Sequence, residues 1–377
     1  MPLICKSTFW MKRVTLCTMK IYNNIDPSIP INTEAEAALF TQLQKSQHVL
    51  ILGHKGPDGD SVGSSLAMHY YLMAIGVKST VVMDGSFPYT LKNIEGLDHI
   101  ISIHMDNVPE GLQQLIDNTD TVLCLDFNKL SRTGKTLTSL LQESLSKHRR
   151  PVLCIDHHTY PQDEDFDILI SVPQASATCH VLALLLIERI SSFPPKIQQI
   201  IATQLLWGII TDTGRFNHAS GNPALFEVVA DLMRLGAQKD LIVNETFHSH
   251  PVSRLRLEGY VMEHMVIRED LGVAYFSLTL DELKHFGVTP ADTEGLVNKP
   301  LDIASIKCSA FFRESREEGI KISMRSKGDF AVNAICSTCY GGGGHINAAG
   351  GELASGNMEE AISLFLQEVT SFAEKGK

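Results

Sequence analysis

Four apolar segments in this chain each run into a histidine or an aspartate, and that recurrence limits the fold more than any other feature. Val49–Leu52 leads to Gly53-His54, Thr121–Leu125 to Asp126, Val152–Ile155 to Asp156, and Ile197–Ile210 to Thr211-Asp212. The first three have strand length and the fourth has helix length. Helical patterns lie between and beyond them, from about Ser61 to Ala74, over Ala177–Ile190, and over Pro223–Leu235 before Gly236. Thr80–Met83 reads as one more strand, and Thr33 with Glu36 reads as a capping box opening a helix to about Gln44. Short apolar strands alternating with helices predict an α/β fold built on a parallel sheet. In open sheets of this kind ligands bind beyond the carboxyl ends of the strands. His54, Asp126 and Asp156 are therefore expected to converge on one edge.

Length and composition bound the rest. At 377 residues, 44% hydrophobic and 20% charged, the chain suits two globular domains. Residues 1–30 read as a mobile leader without chemistry, 31–236 as the catalytic domain, 237–266 as a connector with a linker helix, and 267–377 as a smaller α/β domain. The active site is expected in the cleft between the domains. In the second module the pattern predicts strands at Val273–Leu278, Ser305–Phe312 and Ile320–Arg325. It predicts helices at Asp281–Phe286, Asp292–Val297, Ala331–Cys336 and Met358–Ala373.

A net charge of −11 argues against wrapping a long duplex, which rests on many Lys and Arg contacts. No apolar run approaches the ~18 residues of a membrane span. The eight cysteines form no dense paired framework, which fits a reducing cytoplasm. Cys336 and Cys339 make a lone CxxC, too little for a zinc site.

His54-Lys55-Gly56-Pro57-Asp58-Gly59-Asp60 places carboxylates four and six residues after an imidazole. Asp58 and Asp60 lie two apart, so one turn can send them to different ions. Asp58, Asp60, Asp126 and Asp212 would together carry four negative charges, which repel unless two divalent cations balance them. Mixed imidazole and carboxylate ligands suit Mn²⁺, with Mg²⁺, Co²⁺ or Zn²⁺ as alternatives. Asp126 is the simplest bridge, between ions about 3.5–4 Å apart.

A second constellation lies near the C-terminus. Gly341–Gly344, His345 and Ala348-Ala349-Gly350 offer exposed backbone N–H groups and a cationic hydrogen-bond donor to a phosphate. The two alanines are expected to keep a following helix close. Residues 299–328 carry a net charge of +3, with Arg313 just after one strand and Arg325-Ser326 at the end of another. Arginine suits bidentate phosphate contact.

These motifs resemble those of the DHH phosphoesterases over roughly residues 35–235. The resemblance implies that His54, Asp58 and Asp126 hold one manganese, and that Asp60, Asp126, His157 and Asp212 hold the other. It implies that His158 faces the scissile phosphate and that Asp156 orients the neighbouring histidines. The C-terminal half resembles the substrate domain associated with DHH modules. The whole arrangement is similar to bacterial oligoribonucleases that also act as phosphatases of 3′-phosphoadenosine 5′-phosphate (pAp). In that family the second domain grips the terminal phosphate of a very short RNA. Arg313, Arg325, Ser326, Gly343, Gly344 and His345 are the candidates for that grip, with Asn298 as an addition. A homodimer is compatible with the family. A linear or cyclic dinucleotide phosphodiesterase would share the core. A family II pyrophosphatase would carry a Ser-Arg-Lys motif where the glycine–histidine loop stands, and a single-strand exonuclease of the RecJ type would be longer. A regulator with a dead site would have lost a ligand, and none is lost here.

Overall fold

A computed structural model describes residues 29–103, 107–159, 161–316 and 319–375; the leader, apart from its last two residues, lies outside them. The chain divides into two compact units. One comprises the residues up to Phe87 together with Leu91–Thr246, the other Pro88–Thr90 and the residues from Phe247 onward.

The first unit opens with α1 (Thr33–Lys45) and β1 (His48–Leu52). The cap of α1 is Asn32, not a Thr33 capping box; its side chain accepts from the amides of Glu34 and Ala35 at 2.9 and 3.1 Å. Asparagine one residue earlier reaches both amides itself, so no reciprocal glutamate is needed. Next come α2 (Gly59–Ala74), β2 (Lys78–Asp84), β3 (Ile100–Ile103), α3 (Leu112–Asp117), β4 (Thr121–Leu125) and α4 (Lys135–Lys147). Then follow β5 (Val152–Asp156), β6 (Ile168–Ser171), α5 (Thr178–Ile190), α6 (Pro195–Asp212) and α7 (Pro223–Arg234). Helix α8 (Lys239–Phe247) occupies part of the segment read as a connector.

The sheet order is β3-β2-β1-β4-β5-β6, with every pairing parallel. Leu50, Leu52, Val82, Val122 and Cys124 pack on Leu112, Ile116, Leu137 and Leu141 of α3 and α4. The alternate residues Val49, Ile51 and Leu123 are also fully buried, so both faces are covered. Truncating one of these leucines to alanine costs about 2–5 kcal/mol. The strand order reverses between β1 and β4, and a crevice at that switch point is where such sheets bind ligands.

Glycines set the helix spacing over that crevice. A Cβ on Gly63 of α2 would lie 2.6 Å from the Gln204 carbonyl oxygen of α6. One on Gly208 would lie 2.3 Å from Cys179 Sγ and 2.5 Å from Asp60 Oδ1. Only hydrogen fits, so α2, α5 and α6 meet closely enough to juxtapose Asp60 and Asp212.

The second unit contains α9 (Val252–His264), β7 (Val266–Arg268), β8 (Val273–Leu278), α10 (Leu280–Phe286), β9 (Cys308–Ser315) and β10 (Gly319–Ser326). It ends with α11 (Val332–Tyr340), β11 (Gly343–His345), β12 (Ala348–Leu353) and α12 (Met358–Lys375). The sheet order is β11-β12-β10-β9-β8-β7, antiparallel except between β8 and β9. Alternation splits the strands cleanly. Cys308, Ala310 and Phe312 join the core with α11 and α12, whereas Phe311 joins Leu257, Val261 and Leu283 of α9 and α10. A capping box does exist here, between Thr279 and Glu282.

Three expectations for this unit are corrected. Arg313 lies inside β9 rather than after it, paired with Lys321 and Leu278. The segment read as a helix over 292–297 forms 3₁₀ turns at Pro290–Thr293 and Leu296–Asp302, because Gly295 turns left-handed and Pro300 interrupts the ladder. No helix follows Ala348 and Ala349. They begin β12, and the glycine run is a strand of the same hairpin.

Candidate metal centre

Five loops or element ends of the first unit deliver the predicted polar residues to one place. Asp58 caps α2 and accepts from the amides of Asp60 and Ser61, both at 3.0 Å. Asp60 then sits in the first turn of α2 and points at the start of α5. Its Oδ2 accepts from Thr178 N at 2.6 Å and its Oδ1 from Cys179 N at 2.8 Å. A helix N-terminus favours a carboxylate in that position. Asp126, directly after β4, has φ +68°, in the left-handed region that non-glycine residues rarely adopt. Holding it there costs on the order of 1–3 kcal/mol. The conformation turns its carboxylate into the crevice, where Thr178 Oγ1 donates to Oδ1 at 3.0 Å.

Two of the clusters in the crevice flank Asp126, which belongs to the first and reaches the second through His157. His54, Asp58 and Asp126 form one, and Asp60, His157 and Asp212 the other. His54 Nε2 lies 3.5 Å from Asp126 Oδ2 and 3.7 Å from Asp58 Oδ1. His157 Nε2 lies 3.6 Å from Asp126 Oδ1, 3.5 Å from Asp212 Oδ2 and 4.0 Å from Asp60 Oδ2. These separations exceed hydrogen-bond length. They suit two donors each about 2.0–2.2 Å from a common ion. One oxygen of Asp126 faces each cluster, the orientation a bridging carboxylate requires.

The outer contacts fix the histidines. His54 Nδ1 lies 3.0 Å from the Lys55 carbonyl and His157 Nδ1 3.3 Å from the Ala175 carbonyl. A carbonyl only accepts, so each Nδ1 carries a proton, and in the neutral ring each Nε2 offers its lone pair to the cluster. His158 Nδ1 lies 2.7 Å from Asp156 Oδ1. Asp156 is fully buried, while the His158 side chain keeps 25% of its exposure. His158 is thus held at the rim of the site by a carboxylate beneath it.

Electrostatics agree with a cation-binding role. Burial, and then the charges of Asp60 and Asp58, push Asp126 well above the usual carboxylate range. Burial and the same two neighbours do so for Asp212. His54 is pushed well up as well: burial opposes this, but Asp126 and Asp58 outweigh it. Without a cation, the cluster relieves its repulsion by holding protons. Asp58, whose side chain is half exposed, goes the other way, because His54 and the amides of Ser61 and Asp60 outweigh the desolvation it meets in the crowded site. Asp156 lies below its ordinary value, since His158 outweighs the burial that would raise it.

Thr178 and the amides of residues 178 and 179 are parts of the site that motif reading missed. Their one sequence signal is Ser176-Ala177-Thr178, small and polar residues opening an apolar helix.

The second-unit candidates separate. His345 pairs with Ala348, and Ala348 pairs with Arg325, so the three lie in one row on one face of the sheet, with a small residue in the middle. Arg313, opposite Lys321, shares that face but stands four residues along β10, roughly 13 Å away at strand rise. Ser326 is occupied within the fold. Its Oγ donates to the Phe330 carbonyl at 2.6 Å and accepts from Asn347 Nδ2 at 2.9 Å. Asn347 also donates to the Gly328 carbonyl at 2.8 Å, which pins the hairpin tip beside Arg325. Gly344 has φ +143°, and a Cβ there would lie 2.4 Å from the Ala348 carbonyl oxygen. Asn298 is exposed in the 296–302 turn, which packs against β9 and β10.

Fold, clusters and comparisons agree on the class: the chain belongs to the DHH family. The family's N-terminal domain matches residues 48–209 and the DHHA1 domain matches residues 270–375. DHH phosphoesterases are metal-dependent hydrolases. Among particular relatives, the bifunctional oligoribonuclease and PAP phosphatase NrnA of Thermus thermophilus is 29% identical over 85% of this chain and 89% of its own length. The cyclic-di-AMP phosphodiesterase GdpP of Bacillus subtilis is 27% identical over 90% of this chain, which spans 50% of that protein. An exopolyphosphatase-related protein from Bacteroides fragilis, a solved structure, is 34% identical with a TM-score of 0.82, covering 91% of this chain and 97% of that one.

Proposed function

We propose that the chain is a two-metal phosphoesterase that cleaves short 5′-phosphorylated oligoribonucleotides to mononucleotides and converts pAp to AMP and phosphate. The observation that carries the phosphoesterase reading is Asp126, with one oxygen turned to each of two His/Asp clusters. The NrnA relatives in three organisms, matched along most of their length, support the substrate class.

His54, Asp58 and Asp126 would hold one divalent cation, and Asp60, Asp126, His157 and Asp212 the other, with manganese the first choice and magnesium or cobalt alternatives. When bound, such ions supply Lewis acidity and lower the pKa of water toward neutrality. Asp156 holds His158 by its Nδ1, which leaves Nε2 toward the crevice. His158 then donates a proton to the leaving oxygen as negative charge develops there. Asp60 is locked by two α5 amides and Asp126 by Thr178, so neither must reorganise during the reaction. In the second unit, the row of Arg325 and His345 offers a guanidinium and an imidazole to a terminal phosphate, and the glycine hairpin keeps side chains out of its way. The free state of all six described cysteines fits the reducing cytoplasm we assign.

A second reading, hydrolysis of linear or cyclic dinucleotides, is favoured by the GdpP and PdeA relatives. A manganese-supplemented panel separates the two: a 5′-phosphorylated dinucleotide, pAp, cyclic di-AMP and pyrophosphate. Turnover of the first two ahead of the cyclic compound is expected. Rapid pyrophosphate cleavage without nucleotide hydrolysis would overturn both readings.

A further inference from the structure

The metal clusters account for the scissile phosphate, and the Arg325–His345 row for a terminal one. A third group of charges on the first unit is used by neither. Lys55 follows His54 directly, and Lys129 and Arg132 lie three and six residues after Asp126. All three are exposed. Among the described residues, no hydrogen bond or ion pair occupies any of these three side chains. The two loops are joined: Lys55 N donates to the Arg132 carbonyl at 2.7 Å, and Arg132 N to the Lys129 carbonyl at 3.0 Å.

The platform beneath them is rigid. Leu130 N donates to Asp165 Oδ2 at 2.9 Å, and Thr133 Oγ1 to the Leu130 carbonyl at 2.8 Å. Leu130 itself is buried in the core with Phe127. Gly134 has φ +95°, and a Cβ there would lie 2.1 Å from Asp84 Oδ2, so the loop closes directly on β2. Cations held on an ordered loop lose less freedom on binding an anion than cations on a mobile one.

Charge gives these residues a purpose. Four carboxylates and two divalent ions sum to zero, so a loaded metal centre does not attract a polyanion at long range. The chain as a whole carries −11 and would repel one. Lys55 directly after His54, and Lys129 and Arg132 three and six residues after Asp126, outnumber the carboxylates of Asp84 and Asp165 that brace the loop, so the local balance of these loops is positive. Had they served solubility alone, nothing would require them to share one braced loop pair beside His54 and Asp126.

We propose that Lys55, Lys129 and Arg132 form a phosphate subsite that holds the phosphodiester next to the scissile one, so that a substrate with three phosphates binds better than one with two. The inference rests on the reading above, in which the substrate is a short 5′-phosphorylated oligonucleotide. It adds a length preference that originates in the catalytic unit.

The test measures binding to the manganese-loaded full chain by calorimetry. The probes are 5′-phosphorylated di- and trinucleotides with hydrolysis-resistant phosphonate linkages. The wild type is expected to bind the trinucleotide roughly ten-fold more tightly, the scale of one charge-assisted contact. Lys55→Gln with Arg132→Gln should erase that advantage and lower the salt dependence of trinucleotide binding by a slope of about one to two. Lys78→Gln, the same charge change at the start of β2 on the opposite edge, should keep the advantage. Equal affinities in the wild type, or an advantage that survives the double substitution, overturns the subsite. Hydrolysis of the natural dinucleotide and pAp is followed separately. Its absence would sink the proposed activity while leaving the length comparison decisive for the subsite.

Discussion

Replacing Thr178 by valine removes one hydroxyl and almost no volume, which isolates what that hydroxyl does for Asp126. The Oγ1–Oδ1 bond is 3.0 Å long and both residues are buried, so water does not replace it. A hydrogen bond to a charged group contributes about 1.5–3 kcal/mol. At 1.4 kcal/mol per decade, its loss corresponds to roughly a ten- to hundred-fold weaker hold on the cation that Oδ1 faces. That range matches what supporting contacts around metal ligands typically contribute, on the order of 10–100-fold. The metal-free protein should lose only about 1 kcal/mol, the usual net contribution of one intramolecular hydrogen bond. Calorimetric titration with manganese, alongside kcat and KM, reads these effects. We expect one of two binding steps to weaken, kcat to fall with it, and Thr178→Ser to restore both. A valine variant with wild-type titration and kcat would refute the view that Thr178 positions the shared carboxylate.

Other outcomes follow from the same geometry. Asp126→Asn keeps a residue that tolerates positive φ but removes the charge, and hydrolysis should fall at least about a thousand-fold, with both metal steps weakened. Gly208→Ala drives a Cβ against Cys179 and Asp60, and chemical denaturation should show a loss of about 1–3 kcal/mol together with weaker metal binding. Asn347→Ala unties the hairpin tip from Ser326 and Gly328, so KM for nucleotides should rise several-fold with kcat largely retained. The pH response has a definite sign. Asp126 and Asp212 have folded pKa values above their unfolded ones, so ionising them destabilises the metal-free chain as pH rises from about 4 through their folded values. The raised His54 contributes stability below about pH 6.5 that is lost as pH rises through its folded value. All three changes make the metal-free chain weaker toward alkaline pH. Metal binding must expel these protons, so the rise in melting temperature on adding manganese should grow from pH 6 to pH 8. A rise independent of pH would contradict it.

The parallel sheet and the convergence of the site were legible because both rest on local signals. Apolar runs of strand length mark β1, β4 and β5, and the residue after each run must lie at the carboxyl edge. What escaped has equally physical causes. β3 and β6 are four-residue strands at the two sheet edges, too short to show a period. The glycine run gave no side-chain pattern, so its pairing in β11 and β12 was invisible, as was the in-line row of His345, Ala348 and Arg325. Thr178 and Cys179 act on Asp60 through backbone amides, which any residue type supplies. The close approach of α2, α5 and α6 depends on glycines whose role appears only when the opposing helix is in place.

The central claim is that two cations share the carboxylate of Asp126. Electron paramagnetic resonance during manganese titration tests it most directly, because ions about 3.5–4 Å apart couple magnetically. The account predicts two manganese per chain, a coupled dinuclear spectrum at full loading, activity that tracks that spectrum, and loss of the coupling in Asp126→Asn. Full activity with only the signal of isolated manganese, or coupling that persists in Asp126→Asn, would contradict it.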